Sequence, residues 1–186
     1  MKLLQRIAFS FIYLFRPPWD TGIPAPEIIR FILGKTPGNV IDIGCGTGTN
    51  LLYLTQHKWV VTGIDFAPLA IEKAKRKLKD YAKTLIVADV TGLSDLDLPG
   101  PYDLALDMGC FHSLSKIDRV QYIKGLKKWL KPNGVYMVYS FQPSKYSDIR
   151  GISKEDMLEY FKFHFKLINY EQGQGRTSAW YYFERI

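Results

Sequence analysis

Apolar and polar positions along the chain alternate between short, fully apolar runs and longer amphipathic stretches. Asn39-Val-Ile-Asp-Ile-Gly44 is a compact β-rich run buried on both faces, the pattern of a central parallel strand. Val60-Val-Thr-Gly-Ile-Asp65, Leu85-Ile-Val-Ala88, Tyr102-Asp-Leu-Ala-Leu-Asp107 and Val135–Phe141 repeat that pattern as strands two to five. Between them lie helical periodicities. Glu27–Leu33 ends at Gly34, and Gly48–Gln56 turns Leu51, Leu52 and Leu54 inward. A helix opened by Pro68 turns Ile71, Ala74 and Leu78 inward, and a helix over about Lys116–Leu130 has Ser115 and Asp118 in capping-box spacing. Lys131-Pro-Asn-Gly134 breaks that helix, and Ser153–Phe161 is a further one. The last two strand patterns, about Phe163–Tyr170 and Ser178–Arg185, are joined through Gly173 and Gly175, which favours an antiparallel pair. Strands alternating with helices predict an α/β fold, a mostly parallel sheet covered on both faces with right-handed crossovers.

A chain of 186 residues suits one domain. The expected division is an amino-terminal helix and lid segment over 1–24 and a core over 25–186. Leu3–Phe15 is apolar, but its uncharged run from Ile7 to Phe15 is too short to span a bilayer and no small-residue cleavage signal follows. At helical spacing, Leu4, Ile7, Phe11 and Leu14, or Leu3, Ile7, Phe11 and Phe15, form a stripe that lies on its own domain or on a membrane surface. The net charge of +7 invites a nucleic-acid reading. Much of that charge sits on the solvated faces of two helices, at Lys73, Lys75, Arg76, Lys77 and Lys79 and at Lys124, Lys127, Lys128 and Lys131. No nucleic-acid-binding motif accompanies it, so a nucleic-acid partner is disfavoured. Cys45 and Cys110 are too few and too isolated for a disulfide framework, which points to a cytoplasmic setting. His57, His112 and His164 are unclustered, and no metal is expected.

The informative segment is Val40-Ile-Asp-Ile-Gly-Cys-Gly-Thr-Gly48, a strand running through glycines into a helix. Glycines there permit a sharp turn and the close approach of a ligand. The spacing is G-x-G-x-G, and Thr49 stands where a dinucleotide fingerprint would place its third glycine. Asp65 ends the second strand about twenty residues beyond the first glycine, where a carboxylate can accept bonds from ribose hydroxyls. Asp89 ends the third strand and Asp107 the fourth, while Asp42 precedes the glycine turn. Four acidic residues at or near successive strand ends suit a cationic sulfonium better than a pyrophosphate. For Asp42 two roles stay open: orienting a ligand through water, or tying down the turn.

Taken together, Val40–Gly48, Asp65, Asp89 and Leu130-Lys-Pro-Asn-Gly134 resemble the class I S-adenosylmethionine-dependent methyltransferases, over about residues 25–186. That resemblance implies a Rossmann-like three-layer sandwich with a seven-stranded sheet of order 3-2-1-4-5-7-6 and strand 7 antiparallel. Pro18-Trp-Asp-Thr-Gly22 and Asp107-Met-Gly-Cys-Phe-His112 more loosely resemble the group of thiopurine and tellurite-resistance methyltransferases. The implied cofactor is S-adenosylmethionine. Gly44, Cys45 and Gly46 would meet its methionyl part, Asp65 and Phe66 its ribose and adenine, and Asp89 and Val90 the adenine edge. Met108 and Gly109 would line the transfer site, and Trp19 would cover the ligand with an aromatic face.

Methyl transfer from a sulfonium needs alignment more than a covalent nucleophile, so Cys110 reads as packing. His112 lies past the end of strand four and is the candidate catalytic residue, as a base or as an orienting group. Its alternative is to cap the next helix or bond a loop carbonyl. The expected acceptor is a small molecule with a thiol or other heteroatom nucleophile. A lipid or quinone at the membrane surface, or a non-catalytic module binding the same ligand, are the competing readings. Oligomeric state is not legible.

Overall fold

The computed structural model describes residues 10–15, 17–81, 83–144, 151–173 and 177–186. The expected helix over Leu3–Phe15 therefore lies outside the described residues up to residue 9, as do residues 174–176, which include Gly175 of the expected glycine join. The seven strands are β1 (Asn39–Ile43), β2 (Val60–Asp65), β3 (Lys83–Val87), β4 (Tyr102–Met108), β5 (Leu130–Phe141), β6 (Phe165–Gln172) and β7 (Ser178–Arg185). They follow the order β3-β2-β1-β4-β5-β7-β6, an α/β Rossmann-like arrangement, with β7 antiparallel to both β5 and β6. The chain divides into two compact units, residues 1–90 and 91–186.

In the first unit β1 and β3 both pair in parallel with β2. Residues 40–43 of β1 and 61–65 of β2 are all buried, as the doubly apolar runs require. Helix α1 (Pro26–Ile32) precedes β1, and α2 (Thr49–Gln56) and α3 (Pro68–Lys77) separate the strands. Proline opens both α1 and α3, where its missing N–H costs nothing. α2 begins at Gly48, which has φ +76°. A Cβ there would lie 2.8 Å from Leu78 Cδ1 and 3.1 Å from Ala74 Cβ. Gly48 is thus dictated by how closely α3 and the residue after it pack on the turn, rather than by a ligand.

In the second unit β4 and β5 are parallel, with α4 (Lys116–Trp129) and α5 (Lys154–Phe161) alongside. Ser115 caps α4, accepting from the Asp118 N–H, and Ser153 caps α5 in the same way through Asp156. The break expected at Lys131–Gly134 takes another form. α4 passes directly into β5 at Leu130, and 131–134 make an irregularity between the pairs Tyr102–Leu130 and Leu104–Val135. Asn133 has φ +61°, and a Cβ on Gly134 would lie 2.8 Å from the Lys131 carbonyl. The same residues that stop a helix can therefore bulge a strand.

The core of this unit is aromatic: Phe111, Tyr122, Tyr136, Phe161 and Phe183 are buried, with Phe161 and Phe183 stacked at 4.6 Å. Among them sits Asp107, fully buried. The expectation that its carboxylate faces an acidic ligand mouth is corrected here. One oxygen accepts from the Cys110 N–H at 2.7 Å, and the other accepts from the Phe111 N–H at 3.0 Å and the Tyr122 hydroxyl at 2.7 Å. The Tyr136 hydroxyl also donates to it, at 3.4 Å. Strand-end position alone does not separate a carboxylate facing solvent from one folded back onto its own loop. Burial pushes the Asp107 carboxyl up to about 6, despite the hydroxyl and amide donors that favour its charge.

The unfolded chain releases this proton near pH 3.8 and the folded chain near 6, so between those values the folded state holds more protons. Stability associated with Asp107 should then fall as pH rises through that window, by about 2–3 kcal/mol. Urea denaturation from pH 4 to 7 should show this slope in the wild type and a flatter one in Asp107→Asn. Equal slopes in the two proteins would contradict the assignment.

Candidate active site

The glycine turn of the first unit is fastened from below. The N–H groups of Gly44 and Cys45 both donate to the Ile64 carbonyl, at 2.8 and 2.9 Å. The Gly46 N–H donates to Asp65 Oδ2 at 2.9 Å, and the Ala67 N–H donates to Asp65 Oδ1 at 2.8 Å. The Gly48 N–H closes the turn on the Cys45 carbonyl at 3.0 Å. Gly44 and Gly46 adopt φ of +84° and +54°, the left-handed region that glycine enters without a Cβ penalty. A pyrophosphate-binding turn aims its amides outward at the anion. This one bonds four of them, those of Gly44, Cys45, Gly46 and Gly48, internally, which disfavours the dinucleotide reading.

Asp65 is 3% exposed, and burial raises its carboxyl against the opposing effect of its backbone donors. Each oxygen already holds one amide, and an ionised carboxylate has acceptor capacity beyond two bonds. Asp42 is buried beneath the turn. Cys45 is buried, and burial followed by the charges of Asp42 and Asp65 holds its thiol well above the usual range. It is a neutral thiol with no nucleophilic character. Val90 is buried, and Asp89 and Phe66 are half-buried.

Tyr13 was not singled out in the sequence. It is 5% exposed and packs on Ala67 and Ala70, with Phe66 and Leu69 against the same cluster. Its hydroxyl lies 3.4 Å from the point where a Gly46 Cβ would project. Burial first, then the charge of Asp65, pushes its phenol pKa up. Trp19 meets it edge to face at 6.4 Å and is itself 55% exposed. The stripe positions Phe11, Leu14 and Phe15 are exposed instead. These positions do not pack on the unit, and Leu3, Leu4 and Ile7 of the stripe lie outside the described residues. Small residues on α3 leave space for the tyrosine ring. The signal available in the sequence was the one residue off the stripe with an apolar body and a polar tip.

In the second unit, Met108 is 43% exposed at the end of β4 and Gly109 follows with φ +95°. A Cβ on Gly109 would lie 3.3 Å from His112 Cε1, so the glycine makes room for the imidazole. His112 is 8% exposed, in a 3-10 turn over Phe111–Ser113, edge to face with Phe141 at 5.0 Å. Its backbone carbonyl accepts from Arg119 at 2.8 Å. Its buried Nδ1 has no hydrogen-bond partner among the described residues, and the cap of the next helix is Ser115. Burial, with a smaller effect of Arg119, lowers His112 to about 4, so the ring is neutral at physiological pH.

Comparison with known proteins agrees with this geometry. The methyltransferase domain family matches residues 40–134. The 2-heptyl-1-hydroxyquinolin-4(1H)-one methyltransferase of Mycobacteroides abscessus is 34% identical over 139 residues, 73% of this chain, and the chain spans 61% of that relative's length. Two solved structures share the fold. The N-methyltransferase NodS from Bradyrhizobium japonicum has a TM-score of 0.80 at 18% identity, with 97% of each chain covered. The 1,6-didemethyltoxoflavin-N1-methyltransferase of Burkholderia thailandensis has a TM-score of 0.79 at 20% identity, covering 98% of this chain and 87% of that one. From the glycine turn, the sheet order and these matches, the chain belongs to the methyltransferase domain family, among the class I S-adenosylmethionine-dependent methyltransferases.

Proposed function

We propose that the chain is an S-adenosylmethionine-dependent methyltransferase that moves the methyl group to a heteroatom of a small-molecule acceptor by in-line displacement. The observation that carries this reading is the glycine turn, with the amides of Gly44, Cys45, Gly46 and Gly48 bonded internally and the buried Asp65 carboxylate beneath it. Such a turn suits a cationic ligand that makes no demand for an anion nest. Tyr13 and Trp19 supply aromatic faces on the same unit, where a sulfonium gains cation–π attraction. When bound, the cofactor supplies an activated methyl on sulfur. The chain's residues need to orient it, hold the acceptor in line and exclude water.

The acceptor class rests on the relatives. The Mycobacteroides abscessus relative is named for a hydroxyquinolinone, and the Burkholderia thailandensis structure is titled with bound 1,6-didemethyltoxoflavin and S-adenosylhomocysteine. Both names describe small heterocycles that offer a heteroatom. Isothermal titration with S-adenosylhomocysteine should show one site, with no binding of a nicotinamide dinucleotide. Asp65→Ala should weaken that binding by about 1.5–3 kcal/mol, since it removes charge-assisted bonds to ligand and loop together. Unchanged affinity would remove Asp65 from the site.

For His112 the proposal is acceptor orientation through a neutral imidazole. A conjugate acid near 4 makes the ring a weak base, so hydrogen bonding rather than proton removal is its part. The neutral form persists at every pH above about 4, and activity should show no ionisation of this residue near neutrality. With an acceptor in hand, His112→Phe should lower kcat/KM by about tenfold with cofactor affinity kept, the loss of one oriented hydrogen bond. His112→Asn should recover part of it. Wild-type rates in His112→Phe would end the assignment.

A second reading, methylation of a lipid or quinone at a membrane surface, is favoured by one observation. Phe11, Leu14, Phe15, Trp19 and Ile23 are 55–78% exposed within a short stretch, and Lys73 reaches the Phe15 carbonyl at 3.5 Å. No described helix is long and apolar enough to cross a membrane, so contact would be interfacial. Co-sedimentation with phosphatidylglycerol vesicles that is salt-sensitive and lost in Phe11→Ser/Phe15→Ser supports this reading. Absence of binding at low salt removes it.

A further inference from the structure

The segment 17–22 turns sharply, with the Asp20 N–H donating to the Pro17 carbonyl at 3.0 Å, and this aims the Asp20 side chain at the glycine turn. Asp20 Oδ2 accepts from the Thr47 hydroxyl at 2.7 Å, and Oδ1 accepts from the Thr49 hydroxyl at 3.3 Å. The same two hydroxyls accept from Lys77 Nζ, each at 2.8 Å. Each threonine thus donates once, to Asp20, and accepts once, from Lys77. The directions of all four bonds are mutually fixed, because the lysine cannot accept and the carboxylate cannot donate. Thr47 is 6% exposed and lies between Gly46 and Gly48, the two left-handed positions of the turn.

We propose that Asp20 is a positioning residue for the cofactor site: it fastens the amino-terminal segment to the glycine turn and so holds Tyr13 and Trp19 in place beside it. This rests on the reading of that turn as the cofactor site. Asp20 is one of several ties between this segment and the rest of the unit, among them the Lys73 ammonium donating to the Phe15 carbonyl at 3.5 Å. Others are the packing of Tyr13 on Ala67 and Ala70, and the Ala25 N–H donating to Asn50 Oδ1 at 3.2 Å. Trp19 is the residue next to the tie, and Tyr13 contacts Trp19 edge to face. The acid-to-amide change is not conservative here. An asparagine offers one acceptor where two hydroxyls donate, and it discards the charge that faces Lys77 across them.

The test uses Asp20→Asn, Asp20→Ala and Lys77→Gln in the full chain. Hydrogen exchange at 18–24 should accelerate in all three, while urea unfolding of the remaining structure keeps its midpoint. S-Adenosylhomocysteine affinity should fall about tenfold in Asp20→Ala, and KM for S-adenosylmethionine should rise with kcat at saturation retained, since only binding geometry is lost. The double variant Asp20→Asn/Lys77→Gln should lose less than the sum of the two single losses. Wild-type exchange in Asp20→Ala overturns the tether. Faster exchange with unchanged cofactor affinity overturns the positioning role. If the wild type binds no S-adenosylhomocysteine, the cofactor reading itself fails, and the exchange measurement still decides whether Asp20 holds the segment.

Discussion

The first unit depends on one buried carboxylate. Asp65 ends β2, yet its oxygens are occupied by the Gly46 N–H of a turn nineteen residues earlier and by the Ala67 N–H just beyond. Burial opposes its charge, and the two amides partly offset that cost. The bond to Gly46 sets the turn's path, and the left-handed glycines follow from the path rather than causing it. Once the turn is fixed, Cys45 is enclosed as a neutral thiol, and Gly48 brings α3 close enough to exclude any side chain at that position. Gly63 belongs to the same constraint, because a Cβ there would lie 2.6 Å from Leu51 Cδ1 and 2.9 Å from Cys45 Sγ.

The second unit solves the same problem in the same way. Asp107, near the end of β4, folds back to take the N–H groups of Cys110 and Phe111, as Asp65 takes that of Ala67. A strand that ends inside a protein leaves the next residues' amides without ladder partners, and a carboxylate at the strand end captures them. Tyr122 and Tyr136 extend the arrangement into the aromatic core, so their hydroxyls are satisfied without reaching solvent. The loop that carries Met108, Gly109 and His112 is thus held from its base.

How much of this the sequence showed depends on whether the signal was local. The β1 and β2 runs, the Gly44–Gly48 turn and the Ser115 cap are written in neighbouring residues, and all three were legible. The sheet order came with the family resemblance. The Asp107 orientation was misread because position at a strand end is local information, while its partners Tyr122 and Tyr136 lie on α4 and β5. Tyr13 and Asp20 were missed for a related reason. Their partners at Ala67, Ala70, Thr47 and Thr49 are dozens of residues away, and nothing in a threonine pair flanking Gly48 announces an aspartate in a distant loop. The Lys131–Gly134 stretch is ambiguous in sequence, since asparagine and glycine serve helix ends and strand bulges equally well.

The ionisation states fit a reaction that carries its own electrophile. Cys45 stays a thiol and His112 stays neutral, each because burial disfavours its charged form. An enzyme that had to generate a nucleophile from its own side chains would need the opposite, a thiolate or a strong base held ready by a charged neighbour. For displacement at a sulfonium methyl, a charged nucleophile on the protein would instead compete with the acceptor for the methyl group. An uncharged thiol or imidazole does not compete in this way, which under the proposed reaction leaves selectivity to geometry. Rigid ties recur here, at Asp65, at Asp107 and at the Asp20 tie to Thr47, and each holds backbone in place, which suits the proposed in-line transfer, whose rate would rest on alignment.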